Sequence, residues 1–522
     1  MLYSQFLTSK RFSNLLLCFG ILIFLFYKIY FLNIPYFWDE SWVYGPAVSE
    51  MGSTFPSLLP GSINIDLSRG HPMLFHFLGG VWGNIFGISV TSLHVFALTI
   101  SLIFLFLFRK HLISHLPHTI HYAILFLCST GIFLAQSAMV LPEVLVTLFV
   151  FLSLFSFAKN KHNQAILYAS LCLLSKESGA VLFPVLGLSY LFHQLLSDSF
   201  SWNKSFIFLG KLILGLLPYL LFLIIQNERF GWYLYPNHLD LQVNTIGKFQ
   251  AQFRVAAKFI LFGQARILLT LTAIAAFIYR FRESRRVLFL LGVSLIHMVI
   301  WGFFPMSNWI IFTSYVIISL CSVAPFFIDF KKVYKSHHKL YLSILVFTLL
   351  YLCFTAMNFM SARYLLCLLP LTIFICFKTL EPYYKYIPVH VISLIIIGIS
   401  TVTALKRSSI GDANQSYIDV GQAQKELVSY LEENDFYDEL ILAPFLVYES
   451  LKKVNAGYRS TDKTFDKIPT SLTTDKAFYN VVSFAGELIN DKQKIGRDKT
   501  IIKEFRKGEA IFILEKYTAI KK

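Results

Sequence analysis

The stretch RFSNLLLCFGILIFLFYKIYFLNIPYFWDESW, residues 11–42, decides the class of fold. Lys10 and Arg11 precede an apolar run from Leu15 to Leu32. A run of that length matches the hydrocarbon thickness of a bilayer as a helix. It is long for a secretory signal, and no small-residue cleavage site follows, so it reads as a retained first membrane helix. Just beyond it stand Asp39 and Glu40, the first two acids of the chain. The dipeptide admits two readings: solvated loop acids or a helix cap, or a reactive pair at the mouth of a membrane span. Carboxylates near a bilayer are costly, and they face water or a cavity when they persist.

Working outward, the same apolar pattern recurs along most of the 522 residues. The chain is 56% hydrophobic and only 15% charged, against about 25% charged in a soluble globular chain. Spans are expected near 14–32, 88–108, 120–136, 143–158, 206–225, 259–279, 287–304, 309–328, 340–357, 363–380 and 388–404. Two shorter runs, 165–174 and 179–192, flank SKESG and are expected to dip toward the outer face. The expectation is an α-helical polytopic membrane protein of about 13 transmembrane helices.

The net charge of +16 does not mark a nucleic-acid partner. The basic residues gather in short loops between apolar runs, at Arg109–Lys110, Lys159–Lys161, RFRESRR (280–286) and KKVYKSHHK (331–339). That is the positive-inside pattern of cytoplasmic loops. It places residues 33–87 and everything after about 404 on the outer side. Seven cysteines, Cys18, Cys128, Cys172, Cys321, Cys353, Cys367 and Cys376, lie in apolar runs without metal or redox spacing.

From residue 405 the charge density rises. GQAQKELVSYLEEN has helical spacing, ELILAPF and AFYNVVSFAG read as strands, and FRKGEAIFILEKY reads as a turn at Gly508 leading into a strand. The expected organisation is a membrane domain over 1–404, including the outer loop 33–87, and a small α/β extracytoplasmic domain over 405–522. The tail shows no catalytic cluster and reads as a scaffold or an acceptor-binding surface.

Five segments carry chemistry, and each has a plainer alternative. Asp39 and Glu40 suit a general base and its helper. Arg69 and His71, in RGHPMLFHF, can hold a phosphate at headgroup level or simply anchor the interface. Glu143 follows Pro142 and either serves the site or favours a helix N-terminus. Lys176 and Glu177, in SKESG, either pair with each other or face the same cavity as Asp39; a lysine is a competent phosphate ligand. Arg363 and Tyr364, in MSARYLLCLLPL, form an interfacial anchor or a phosphate clamp, since a guanidinium binds phosphate bidentately. The loop-charge topology brings all five to the outer face. No GxGxxG or P-loop motif is present, so an activated donor on that side is expected to arrive on a lipid.

The order of these motifs resembles the GT-C membrane glycosyltransferases: an outer-loop DE, an HP with aromatic re-entry, an acid after the third span, SKE, then RYLLxxLP. The resemblance spans about residues 15–380 and is nearest to the protein O-mannosyltransferase and aminoarabinose transferase group. It implies a sugar donor on polyprenyl phosphate and an acceptor that is a lipid, a glycan or a protein. It also implies Asp39 as base with Glu40 as partner, His71, Lys176 and Arg363 near the donor phosphate or the cavity, and Glu143 as the second-loop acid. Arg69 and Tyr364 join the donor-phosphate candidates, and Glu177 the second-loop acids, from the segments above. No cofactor is certain, and a divalent metal on the adjacent acids stays open. The chain departs from the family in reading His71-Pro72-Met73 where HPP is frequent. It has Arg69 or His71 where a lysine is found, and Glu143 where Asp is usual. The expected location is the plasma (inner) membrane, with the site facing outward. The alternatives are a lipid-linked glycan transporter or flippase, and an oligosaccharide polymerase or ligase.

Overall fold

The computed structural model describes residues 10–195, 200–284, 289, 292, 338–407, 410–471, 476–484 and 498–519. Among these, seven helices are long and apolar enough to cross a membrane: Arg11–Tyr30, Val90–Leu112, Glu177–Leu195, Trp202–Phe230, Lys339–Met357, Ala362–Tyr383 and Ile387–Leu405. Ile246–Phe262 and Arg266–Arg280, bent by 76° at their break, make an eighth if taken as one span. Leu74–Phe86, Ile120–Ser129 and Glu143–Ala158 are shorter apolar helices. The chain is thus a helical polytopic membrane protein. Apart from residues 289 and 292, the spans expected at 287–304 and 309–328 lie outside the described residues, as do Cys321 and most of the basic loop 331–339.

Outward-facing leucines and phenylalanines such as Leu15, Phe19 and Phe26 are exposed on the first helix, as side chains that meet lipid would be. The opposite faces close on a core that includes Phe104, Phe108, Phe133, Phe151 and Phe155.

Several expectations needed correction. The run 179–192, expected to be short and to dip, belongs to Glu177–Leu195, which is long and apolar enough to cross a membrane. The run 120–136 is two helices, Ile120–Ser129 and Gly131–Gln136, because Thr130 is extended and its hydroxyl bonds Leu127 O at 2.7 Å. The turn after it is packed inside the protein, with Ser137 and Val140 buried. Irregular backbone at this depth persists only where protein covers it. The span expected at 259–279 is the bent pair, and Arg266 crosses the break to bond Phe259 O through Nε and Nη2, at 3.0 and 2.8 Å. The same carbonyl accepts from Gly263 N at 3.2 Å, so the guanidinium reinforces a helix end that is already capped. Residues 33–87 are not a plain loop. They hold a π-helical turn Glu40–Tyr44, the helix Gly45–Ser53 and the apolar helix Leu74–Phe86.

The tail forms a four-stranded sheet in the order β1-β2-β4-β3, from β1 (Ile441–Leu442), β2 (Phe478–Ser483), β3 (Lys499–Lys507) and β4 (Ala510–Tyr517). β1 runs parallel to β2, and the other pairings are antiparallel. Gly508, at φ +52°, makes the β3–β4 turn. The helix Ser416–Glu433 packs on this sheet. ELILAPF gives only two strand residues, because Pro444 opens the helix Phe445–Lys452 instead.

This unit is bolted to the segment after the first span. Tyr36 N donates to Ala456 O at 3.0 Å, Tyr458 Oη to Tyr36 O at 2.7 Å, and Lys453 Nζ to Trp42 O at 2.8 Å. Lys28, buried in the first helix, donates to Leu134 O at 2.8 Å and to Tyr417 Oη at 3.2 Å. The tail therefore fixes the backbone that carries Asp39.

Candidate functional site

Asp39 and Glu40 are neighbours in sequence that point into different surroundings. Trp38 holds a left-handed backbone at φ +52°, a costly conformation for a large side chain. The π-helical turn begins at the next residue but one, and such turns widen the backbone and re-aim side chains. Glu40 is turned inward and is 1% exposed. It accepts from Val140 N at 2.6 Å and Phe37 N at 3.2 Å, and its Oε1 lies 2.8 Å from His94 Nε2. His94 is held in turn through Nδ1 and Leu32 O at 2.8 Å. Glu40 thus ties its own turn to the helix that carries His94 and to the turn at Val140, and its carboxylate is spent on them.

Asp39 faces the other way. Its Oδ1 accepts from Trp42 Nε1 at 3.2 Å, and its Oδ2 accepts from Arg363 Nη2. The expected joint acid pair is therefore split, and the two carboxylates share no partner in these contacts. Among the described residues no group of three or more His, Cys, Asp or Glu side chains is arranged to hold a metal ion.

Arg363 sits at the centre of the site. It lies on the 3-10 helix Ala362–Leu368, ahead of the helix Leu369–Leu380, in which Pro370 takes a first-turn position. It donates to Asp39 and, through Nη1, to Asp412 Oδ2 at 2.5 Å. Its Nε lies 3.3 Å from Glu143 Oε1. Glu143 opens the helix Glu143–Ala158, where Pro142 is the N-cap. Its Oε1 accepts from Lys176 Nζ at 2.7 Å. Lys176 also stands over the Tyr364 ring, 4.1 Å from the centroid, a cation–π contact. Burial favours the neutral form of Asp39, but the charge and hydrogen bond of Arg363, with Lys176 and His71 nearby, outweigh it and hold its pKa below the usual value.

Lys176 and Glu177 do not pair with each other. Lys176 is extended between the helix His162–Ser175 and the 3-10 helix Glu177–Val181. The tight joint requires Gly179, where a Cβ would lie 2.4 Å from Leu173 N and 2.5 Å from Cys172 C. The turn sends Lys176 to Glu143 and Glu177 to His71, whose Nδ1 is 2.9 Å from Glu177 Oε1.

The His71 ring belongs to an aromatic stack. Tyr44 lies between His71 and His76, nearly parallel to both. His238 packs on His71 with centroids 5.0 Å apart. Burial, with the charge of His71, lowers the pKa of His238 to about 4, so this ring is neutral at pH 7. Arg69 ends the short helix Ile65–Ser68 in a left-handed conformation, φ +47°, followed by Gly70 at φ +71°. Its guanidinium stacks on Trp42 at 4.6 Å and on Tyr235 at 5.4 Å. A small cavity is lined by Glu143, Val146, Lys176, Tyr351, Tyr364 and others, and Glu143 Oε2 has no hydrogen-bond partner among the described residues.

The fold therefore brings Asp39, Glu143, Lys176, Arg363 and Tyr364 into one cluster. It sets His71, Glu177 and Arg69 beside that cluster and turns Glu40 away. Sequence reasoning missed Asp412, His238, Tyr44 and Trp42. Asp412 also gives the region after residue 405, read above as a scaffold or an acceptor-binding surface, a side chain in the charged cluster. One signal was available: Asp412 lies seven residues past Leu405, as Asp39 lies seven past Leu32.

No family model matches the chain, and no curated protein matches it significantly. Two solved structures are similar in outline. They are ArnT from Cupriavidus metallidurans bound to undecaprenyl phosphate and the same protein in the apo state. Each is 11% identical, with 95% of this chain and 97% of that chain covered, and the TM-scores are 0.42 and 0.43. Similarity at that level carries no weight for the reaction.

Proposed function

We propose that this chain is an integral membrane glycosyltransferase. It moves a sugar from a polyprenyl-phosphate donor to a hydroxyl or amine of a lipid, glycan or protein acceptor. The observation that carries the reading is the buried junction of Asp39 and Glu143 with Arg363 and Lys176, which sets a carboxylate base beside two phosphate-binding cations. The motif order described above supports the same class. The charge of the basic loops supports a site on the extracytoplasmic face of the plasma (inner) membrane. In this reading residues 1–404 are the catalytic membrane domain and 405–522 an extracytoplasmic domain.

The chemistry follows from the partners. Arg363 and Lys176 hold the donor phosphate, and Arg69 and His71 line its approach. As the phosphate draws on Arg363, Asp39 is relieved of part of the cation that depresses its basicity. Asp39 then takes the proton of the acceptor O–H or N–H. The acceptor atom bonds to the anomeric carbon while the bond from that carbon to the phosphate oxygen breaks. The electron pair leaves with the polyprenyl phosphate, whose charge the two cations meet. One base and no covalent sugar–protein bond give inversion at the anomeric carbon.

The test is to incubate purified protein with polyprenyl-phosphate monosaccharides and follow release of free polyprenyl phosphate. Asp39→Asn is expected to lower turnover by about 10²–10⁴-fold. Near wild-type turnover in that variant, at normal protein level, would remove Asp39 from the role. Consumption of lipid-diphosphate oligosaccharides alone would make the protein a polymerase or ligase instead.

A further inference from the structure

The acids around Arg363 outnumber the cations. Asp39, Glu143 and Asp412 face Arg363 and Lys176, which leaves the cluster at a formal charge of −1 with every group ionised. A phosphate monoester adds one to two further negative charges. In a site this buried, like charges at contact distance repel strongly. One carboxylate must therefore give way before a phosphate oxygen can reach the guanidinium.

The contacts identify which one. Asp39 is also held by Trp42 Nε1, and Glu143 by Lys176 Nζ. Among the described residues, the Asp412 carboxylate accepts a hydrogen bond from Arg363 and from nothing else. Its backbone has separate support, because Gln136 Nε2 donates to Asp412 O at 2.7 Å. The segment is non-helical and sits between the helices Ile387–Leu405 and Ser416–Glu433. A change of χ1 rotamer can thus swing the carboxylate off Arg363 while the backbone stays in place. Burial, with Glu143 and Asp39 close by, raises the pKa of Asp412 even though Arg363 opposes it, so its charge is also the least secure.

We propose that Asp412 is a resident stand-in for the ligand phosphate: its carboxylate holds the Nη1 edge of Arg363 and must turn away for a lipid monophosphate to bind there. Asp412 thereby sets the affinity threshold for anionic lipid and is a specificity-determining residue supplied by the tail. The inference rests on the reading of Arg363 as a phosphate ligand.

The experiment uses the full-length chain in detergent. Binding of undecaprenyl phosphate, and of undecaprenol as its uncharged counterpart, is measured for the wild type, Asp412→Asn, Asp412→Ser and Arg363→Gln, with a melting temperature for each. Asp412→Asn and Asp412→Ser are expected to bind the phosphate roughly tenfold tighter and the alcohol unchanged. Arg363→Gln is expected to lose the preference for phosphate. If Arg363→Gln loses that preference but neither Asp412 variant binds tighter, the stand-in role is overturned while the function stands. If the wild type does not distinguish the phosphate from the alcohol, both fall. Two substitutions are used so that a folding defect in one leaves the other to decide.

Discussion

Arg363 donates a hydrogen bond to Asp39 across 324 residues of chain. The pair joins the segment after the first span to the start of a late one, and it gathers Glu143, Lys176 and Asp412 around a single guanidinium. Its consequences can be tested one residue at a time.

Replacing Arg363 with Lys keeps the charge and loses the fork. An ammonium cannot serve Asp39 and Asp412 and present two parallel donors to a phosphate. Arg363→Lys is expected to raise the KM for the lipid donor at least tenfold while retaining measurable turnover, and Arg363→Gln to abolish it. Steady-state kinetics over a range of donor concentrations decide this. An unchanged KM in the lysine variant would count against a phosphate role.

Glu40 is expected to behave as a structural residue. Glu40→Ala leaves Val140 N and Phe37 N without their acceptor and His94 without its carboxylate partner, at a cost of about 3–5 kcal/mol for breaking a buried charged network. The expected result is a clear drop in detergent melting temperature and in yield. The fraction that still folds should keep far more activity per molecule than Asp39→Asn. Measured folded protein, rather than total protein, has to normalise the assay.

The depressed pKa of Asp39 makes a directional pH prediction. A carboxylate bound more tightly as an anion in the folded state adds stability above its unfolded pKa of about 3.9. That contribution is lost as pH falls through the lower folded value. The melting-temperature difference between wild type and Asp39→Asn is therefore expected to be flat from pH 7 to about 5 and to shrink below about pH 4. A difference that grows on acidification would contradict the Arg363–Asp39 pair.

Gly179 has no room for a side chain. In Gly179→Ala the Cβ meets backbone of the preceding helix, where nothing flexible can yield. Overpacking of this kind costs about 1–3 kcal/mol. Because Lys176 and Glu177 sit on the same turn, turnover is expected to fall further than the melting temperature alone implies. Activity measured at a temperature where the variant is fully folded separates the two effects.

Much of this molecule is local and was therefore legible in the sequence. Apolar runs identified the spans at 10–30, 90–112, 338–357 and 387–405 to within a few residues, because hydrocarbon thickness sets helix length. Gly508 marked the β3–β4 turn and GQAQKELVSYLEEN the tail helix, since both depend on residues close in the chain. The motif segments also named most residues of the charged cluster.

What the tertiary structure alone decided is which charge meets which. Asp39 and Glu40 part because a strained Trp38 and a π-helical turn aim adjacent side chains differently. Lys176 and Glu177 part because Gly179 closes a joint against the preceding helix. Asp412 reaches Arg363 because the tail is bolted to Tyr36 and Trp42. Hydrophobic length is written one segment at a time. The choice of an ion-pair partner is a competition among groups hundreds of residues apart, and only the packed fold settles it.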